Sequence, residues 1–187
     1  MATDFEFRKR AVSTLTTELG VYVLADLDNV PIYVGQSTDG IRARVQRHLT
    51  SARSDIIANR QIDVWEIAHV WEFPVAEKLE LNLLEAALFH HFNKKSILMN
   101  GKIPSEPQDN ITIPDPRQIV QVMSDTDIAE KIDPAQRLPR QADHYAQIVG
   151  HFLAVKNSTE IARAMNAHFE RLSRYHAMML DQDSNED

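Results

Sequence analysis

Two short runs near the start of the chain alternate or mass apolar residues as strands do. Gly20–Ala25 and Val30–Gly35 flank the polar tetrad Asp26-Leu27-Asp28-Asn29, which predicts a hairpin. Ile41, Val45, Leu49 and Ala52 then recur at helical spacing, predicting a helix over Ile41–Ala52. Asp63–Phe73 alternates Trp65, Ile67, His69, Trp71 and Phe73 against Val64, Glu66, Ala68, Val70 and Glu72, the pattern of a third strand. Pro74 ends it, and Val75–Phe92 predicts a second helix with Leu81, Leu84, Leu88 and Phe92 in register. The order β-β-α-β-α favours an α/β (α+β) fold, a small three-stranded sheet flanked by helices.

Beyond residue 101 the pattern changes. Six of the eight prolines fall between Gly101 and Gln141, so 102–140 reads as a connector, irregular and mostly extended, with a short helix near Arg117–Met123. Residues 141–180 predict a C-terminal helical hairpin. Its first helix, Gln141–Val155, has the apolar face Tyr145, Ile148, Val149 and Phe152. The second opens at Asn157-Ser158-Thr159-Glu160 and carries Ile161, Met165, Leu172 and Met179. The tail Asp181–Asp187 has four acids in seven residues and predicts disorder. The expected division is therefore 1–101, with its core at 18–101, then connector, helical extension and tail.

With 187 residues and 43% hydrophobic content, the chain can bury a real core. Zero Cys excludes disulfides, thiol catalysis and Cys-ligated metal, and suits a reducing, cytoplasmic setting. No apolar run is long enough to span a membrane, and the N-terminus carries acids where a signal peptide carries bases. The net charge of −7 argues against a uniformly basic nucleic-acid binder. Five of those seven excess charges lie beyond residue 100, however. Between Gly40 and Arg60 stand five arginines (Arg42, Arg44, Arg47, Arg53, Arg60) against one acid, Asp55. Binding to nucleic acid is thus expected to be weak, salt-sensitive and concentrated at one place.

Three features resist a purely structural role. Tyr22 and Tyr33 lie on adjacent strands, each tied to a glycine. Arg44 and His48 lie one turn apart beside the apolar stripe of their helix, whereas Arg42, Arg47 and Arg53 suit a solvated, nucleic-acid-facing surface. Glu85 falls inside the stripe of Leu81, Leu84, Leu88 and Phe92, where an ionised carboxylate needs a cation, a metal or a cleft edge. Together they offer a base, a cation for a phosphorane, a polar orienter and one metal-ligating carboxylate, the components of phosphodiester hydrolysis. A single well-placed carboxylate suits one Mg²⁺ or Mn²⁺ whose other positions are filled by water and substrate.

The order Gly20-Val21-Tyr22, Tyr33-Val34-Gly35, Arg44 with His48, Glu85 and a later Asn resembles the GIY-YIG nuclease domain over roughly residues 18–101. The resemblance implies a metal-dependent endonuclease acting on nucleic acid, DNA before RNA, with Glu85 holding the metal. It further implies that Tyr22 helps deprotonate the attacking water and that Tyr33 bonds the phosphate or its waters. Arg44 would stabilise phosphorane charge, and His48 would position a tyrosine hydroxyl or the phosphate. The family Asn would be Asn100, in Leu98-Met99-Asn100-Gly101, in preference to Asn93. Where many members carry Lys after the second motif, this chain has Gln36. A homodimer formed through the C-terminal helices would supply two sites for a double-strand cut. The alternative is a catalytically silent GIY-YIG domain that binds nucleic acid or protein. His144, His151, His168 and His176 in the helical pair read as solvated or locally paired.

Overall fold

The computed structural model describes residues 5–50, 58–107 and 111–183. Along these the chain forms α1 (Phe5–Ser13), β1 (Gly20–Ala25), β2 (Pro31–Ser37), α2 (Ile41–Thr50), β3 (His69–Pro74) and α3 (Lys78–Asn93). There follow β4 (Gln118–Gln121), α4 (Asp125–Ile132), α5 (Pro134–Ala154) and α6 (Thr159–Asp183). The strands make one antiparallel sheet in the order β2-β1-β3-β4, so the α+β class holds with four strands rather than three.

Central strand β1 is buried at every position because both faces of the sheet are covered. Val21 and Val23 face Leu81, Leu88 and Phe89 of α3. Tyr22 and Leu24, on the alternate face, pack with Ile41, Val45 and Leu49 of α2, Val12 of α1 and Ala167 of α6. The hairpin between β1 and β2 closes through Asp26, whose Oδ1 accepts the amides of Asp28 and Val30. Helix α3 starts at Lys78 rather than Val75, because the Glu80 carboxylate takes the free amides of Ala76 and Glu77.

The expected third strand over Asp63–Phe73 begins only at His69. Asp63 accepts the amide of Trp65 through its side chain and that of Glu66 through its carbonyl, so a turn replaces the alternating start. The expected helix near Arg117–Met123 is instead strand β4, which pairs Val70 with Val120 and Glu72 with Gln118. An unpaired edge of β3 outweighs weak local preference. The mostly extended connector is otherwise helical beyond Ser124, which caps α4 by accepting the Asp127 amide. Asp133 caps α5, and Pro134 takes its first position, where a missing N–H costs nothing. Helix α6 runs to Asp183, so the first residues of the expected disordered tail are helical; 184–187 lie outside the described residues, as do 51 and 52 of the helix expected to reach Ala52.

The C-terminal pair is held to the sheet by buried charge. Arg171 donates to Asp26 Oδ2 at 2.9 Å, to the Pro31 carbonyl at 3.0 Å and to Ser96 Oγ at 2.9 Å. Arg137 of α5 donates through Nη1 to Asp28 at 2.6 Å and through Nε to Glu66 at 2.8 Å, under the ring of Tyr175. Burial discourages the Arg137 charge, yet Glu66, Tyr175 and Asp28 together hold its pKa above the ordinary arginine value. Arg140 joins the same set through Glu66 and Asp63. Arg8, fully buried, ties α1 to the same loop by donating to the carbonyls of Val64 and Ile67, and also to that of Val122; burial lowers its pKa to about 10, leaving it charged at neutral pH.

His144 and His168, 5.0 Å apart, bond through Nε2 to the carbonyls of Arg60 and Gln61 and so clasp that loop to the helical pair. Both are locally paired, as expected.

Two outcomes follow from these contacts. Arg137→Ala strands Glu66 and Asp28 without their buried cation and should cost about 3–5 kcal/mol in urea unfolding. Burial, with His144 and Arg171 nearby, depresses the His168 pKa from 6.5 to about 3. The unfolded chain then binds the extra proton, so stability should be full above about pH 6.5 and fall on acidification by up to about 1.4 kcal/mol per pH unit. His168→Gln should flatten that slope in urea titrations at successive pH values.

Candidate active site

The site grows from the β1–β2 register. Tyr22 stands opposite Gly35 and Leu24 opposite Tyr33, so both tyrosines project from the same face of the hairpin. Their rings stack at 6.3 Å between centroids, inclined by 29°. Gly35 makes the room: a Cβ there would come within 2.5 Å of Tyr22 Oη and 2.8 Å of Tyr33 Cε1. From α2, buried His48 completes the cluster, with its Nε2 2.7 Å from Tyr22 Oη and its ring 6.1 Å from that of Tyr33. Arg44 lies one turn before His48 on the same side of α2 and is half-buried.

β2 is the edge strand, and the segment after α3 closes its open side. Met99 donates its amide to the Ile32 carbonyl at 2.7 Å. Asn100 takes both backbone groups of Val34, accepting its amide at Oδ1 (3.1 Å) and donating Nδ2 to its carbonyl (2.6 Å). Asn93 instead closes the turn, accepting the Leu98 amide and Arg163 Nη2. Of the two asparagines, it is Asn100 that reaches the cleft.

Glu85 approaches around the same edge from α3, on the opposite face of the sheet. Gln36 of β2 donates one amide to both Glu85 Oε2 (3.0 Å) and Asn82 Oδ1 (2.8 Å). Partial burial raises the Glu85 carboxyl above the usual carboxylate range, and the Gln36 bond offsets part of that rise. No cation among the described residues pairs with it. Glu85 therefore occupies a cleft edge, not a closed core with an arginine.

Tyr33, Glu85 and Asn100 meet at an open cleft of about 700 Å³, whose walls also include Phe89, Lys102, Lys156 and Glu160. Tyr22, Arg44 and His48 are not on its wall; Tyr22 and His48 stand behind Tyr33 in the ring cluster. The arginines expected to face nucleic acid separate. Arg42 is turned inward, with Nε donating to the Leu15 carbonyl at 2.7 Å, and Arg47 is exposed. Arg53 lies outside the described residues. Among the described residues no group of three His, Asp or Glu stands ready to cage an ion. Gln36, Lys102, Lys156 and Arg163 were not legible as site residues; only the position of Gln36 after the second motif marked it.

An antiparallel sheet with a tyrosine pair, a helix-borne Arg and His and a lone glutamate at one edge defines an α+β domain with one open cleft. Residues 18–97 match the family model of the GIY-YIG catalytic domain. None of the curated proteins compared matches the chain. Among solved structures, the GIY-YIG N-terminal endonuclease domain of UvrC from Thermotoga maritima, a point mutant bound to its catalytic divalent cation, is 19% identical. The alignment covers 58% of this chain and 99% of that one at a TM-score of 0.38, too loose a likeness to bear on function.

Gly35→Ala should separate the tyrosine rings while leaving the sheet paired. We expect a near-native far-UV spectrum with altered near-UV tyrosine signals; an unchanged near-UV spectrum would mean the rings do not depend on that space.

Proposed function

We propose that this protein is a metal-dependent endonuclease that hydrolyses phosphodiester bonds in nucleic acid, DNA in preference to RNA. The observation that carries the reading is the meeting of Tyr33, Glu85 and Asn100 on one cleft, backed by the Tyr22–His48 pair. The donor chemistry fits one hard cation. Glu85 offers a carboxylate at the cleft edge with no competing cation among the described residues, and no cage of further carboxylates or histidines surrounds it. Bound there, Mg²⁺ or Mn²⁺ would supply Lewis-acid stabilisation of charge on the phosphate.

The remaining steps belong to the chain. A tyrosine of ordinary pKa near 10 is a poor base at neutral pH. Here Tyr22 Oη lies 2.7 Å from His48 Nε2, so a proton the hydroxyl takes from water can be matched by loss of its own to the imidazole; both groups are buried behind Tyr33, and water must enter past that ring. Tyr33, on the wall, orients the phosphate or its water. Arg44 meets charge developing on the phosphorane. Asn100 positions β2, and with it Tyr33, by holding both backbone groups of Val34.

No helix among the described residues is long and apolar enough to cross a membrane. The buried face of α6 is spent within its own chain, so a homodimer through the C-terminal helices would use their outer faces.

Plasmid nicking with Mg²⁺ or Mn²⁺ tests the reading. Wild type should nick, and Arg44→Ala and Glu85→Gln should each lose about 100-fold or more in rate while still binding DNA. A wild type inert on varied DNA and RNA, yet binding them as both variants do, would favour the silent binding module.

A further inference from the structure

The cleft has two walls of different origin. Tyr33, Glu85 and Phe89 come from the region that matches the GIY-YIG model, whereas Lys102, Lys156 and Glu160 come from the chain beyond it. The second wall is locked to the first. Arg163, at the start of the second turn of α6, donates to the carbonyls of Leu98 and Asn100, both at 2.6 Å, and to Asn93 Oδ1 at 2.9 Å, with its guanidinium 5.3 Å from the Phe89 ring. Gly101 backs onto Glu160 so closely that a Cβ would meet Glu160 Cβ at 2.8 Å. The turn between α5 and α6 is thus part of the cleft's frame.

Charge divides the same way. The cations on the cleft wall among the described residues are Lys102 and Lys156, both exposed and both in the second wall. They share the field of Glu160, whose carboxyl is held below the usual range by its own backbone amide and by Ser158, with both lysines adding to the effect. The first wall is anionic at Glu85, and Arg42 is turned away to Leu15. A polyanionic strand brought to Glu85 therefore finds the exposed cations of the cleft wall across from it, at Lys102 and Lys156.

We propose that the second wall is a binding track for the nucleic-acid strand, in which Lys102 and Lys156 take phosphates flanking the scissile one. This rests on the nuclease reading above. The C-terminal helical pair is then half of the substrate site, with Arg163 holding its position.

The test is fluorescence anisotropy of the full chain with a labelled DNA duplex in EDTA, between about 50 and 200 mM salt. Lys102→Gln/Lys156→Gln is compared with Lys9→Gln/Lys78→Gln, which removes the same charge from exposed lysines away from the cleft. The cleft double variant should bind about 10-fold more weakly, with the log K–log salt slope shallower by about 1.8, whereas the control should change roughly two-fold or less. In nicking, the cleft variant should raise KM rather than lower kcat. Equal losses in both doubles, or none in either, would overturn the track. If the cleft variant loses binding but wild type never cuts, the track stands and the nuclease reading falls. If wild type cuts and the cleft variant matches it, the reverse holds.

Discussion

Across the β1–β2 pair, the position opposite Tyr22 carries no side chain, and the arrangement of the candidate site depends on that space. Any Cβ at Gly35 would collide with both tyrosine rings. Because it is absent, Tyr22 lies flat beside Tyr33, its hydroxyl reaches His48, and Tyr33 is left facing the cleft. The same strand carries Gln36 to Glu85 and presents Val34 to Asn100, so β2 connects nearly every group at the site. An edge strand is well suited to this role. Its unpaired side is open to the segment after α3, and both faces of the sheet are within reach around it.

A second constraint holds the C-terminal helices in place. Taking Asp26 and Glu66 out of water is tolerable only because Arg171, Arg137 and Arg140 accompany them. Removing either partner would leave a charge stranded, which gives the docking of α5 and α6 a strict geometry. That geometry brings Arg163 to Leu98 and Asn100, and so ties the cleft to helices outside the matched domain. A hydrophobic face alone would have tolerated sliding. Directional charge pairs do not.

Local pattern revealed β1, β2, α2, α3 and the helical pair because each keeps a clear apolar period over many residues. It failed where partners distant in sequence decide. Gln118–Gln121 is a strand because β3 had an open edge, and no four-residue window could show that. Prolines at 134 and 139 suggested an extended connector, yet Pro134 starts a helix and Pro139 sits inside it. Alternation across Asp63–Phe73 was undone by the turn that Asp63 builds for itself. Among the expected site residues, order and spacing singled out Tyr22, Tyr33, Arg44, His48 and Glu85, and the structure places Tyr33 and Glu85 on the cleft wall with Tyr22 and His48 behind Tyr33. Arg42 was misplaced because its inward bond goes to Leu15, which periodicity does not report. Lys102, Lys156 and Arg163 reach the site only through the docking of the second wall.

Mn²⁺-soaked crystals, with anomalous difference maps, test the central claim most directly. The account predicts one strong peak on the Glu85 carboxylate, facing the cleft beside Tyr33, and its loss in Glu85→Gln crystals. A map with no peak at Glu85, or with the ion bound instead between His144 and His168, would contradict it.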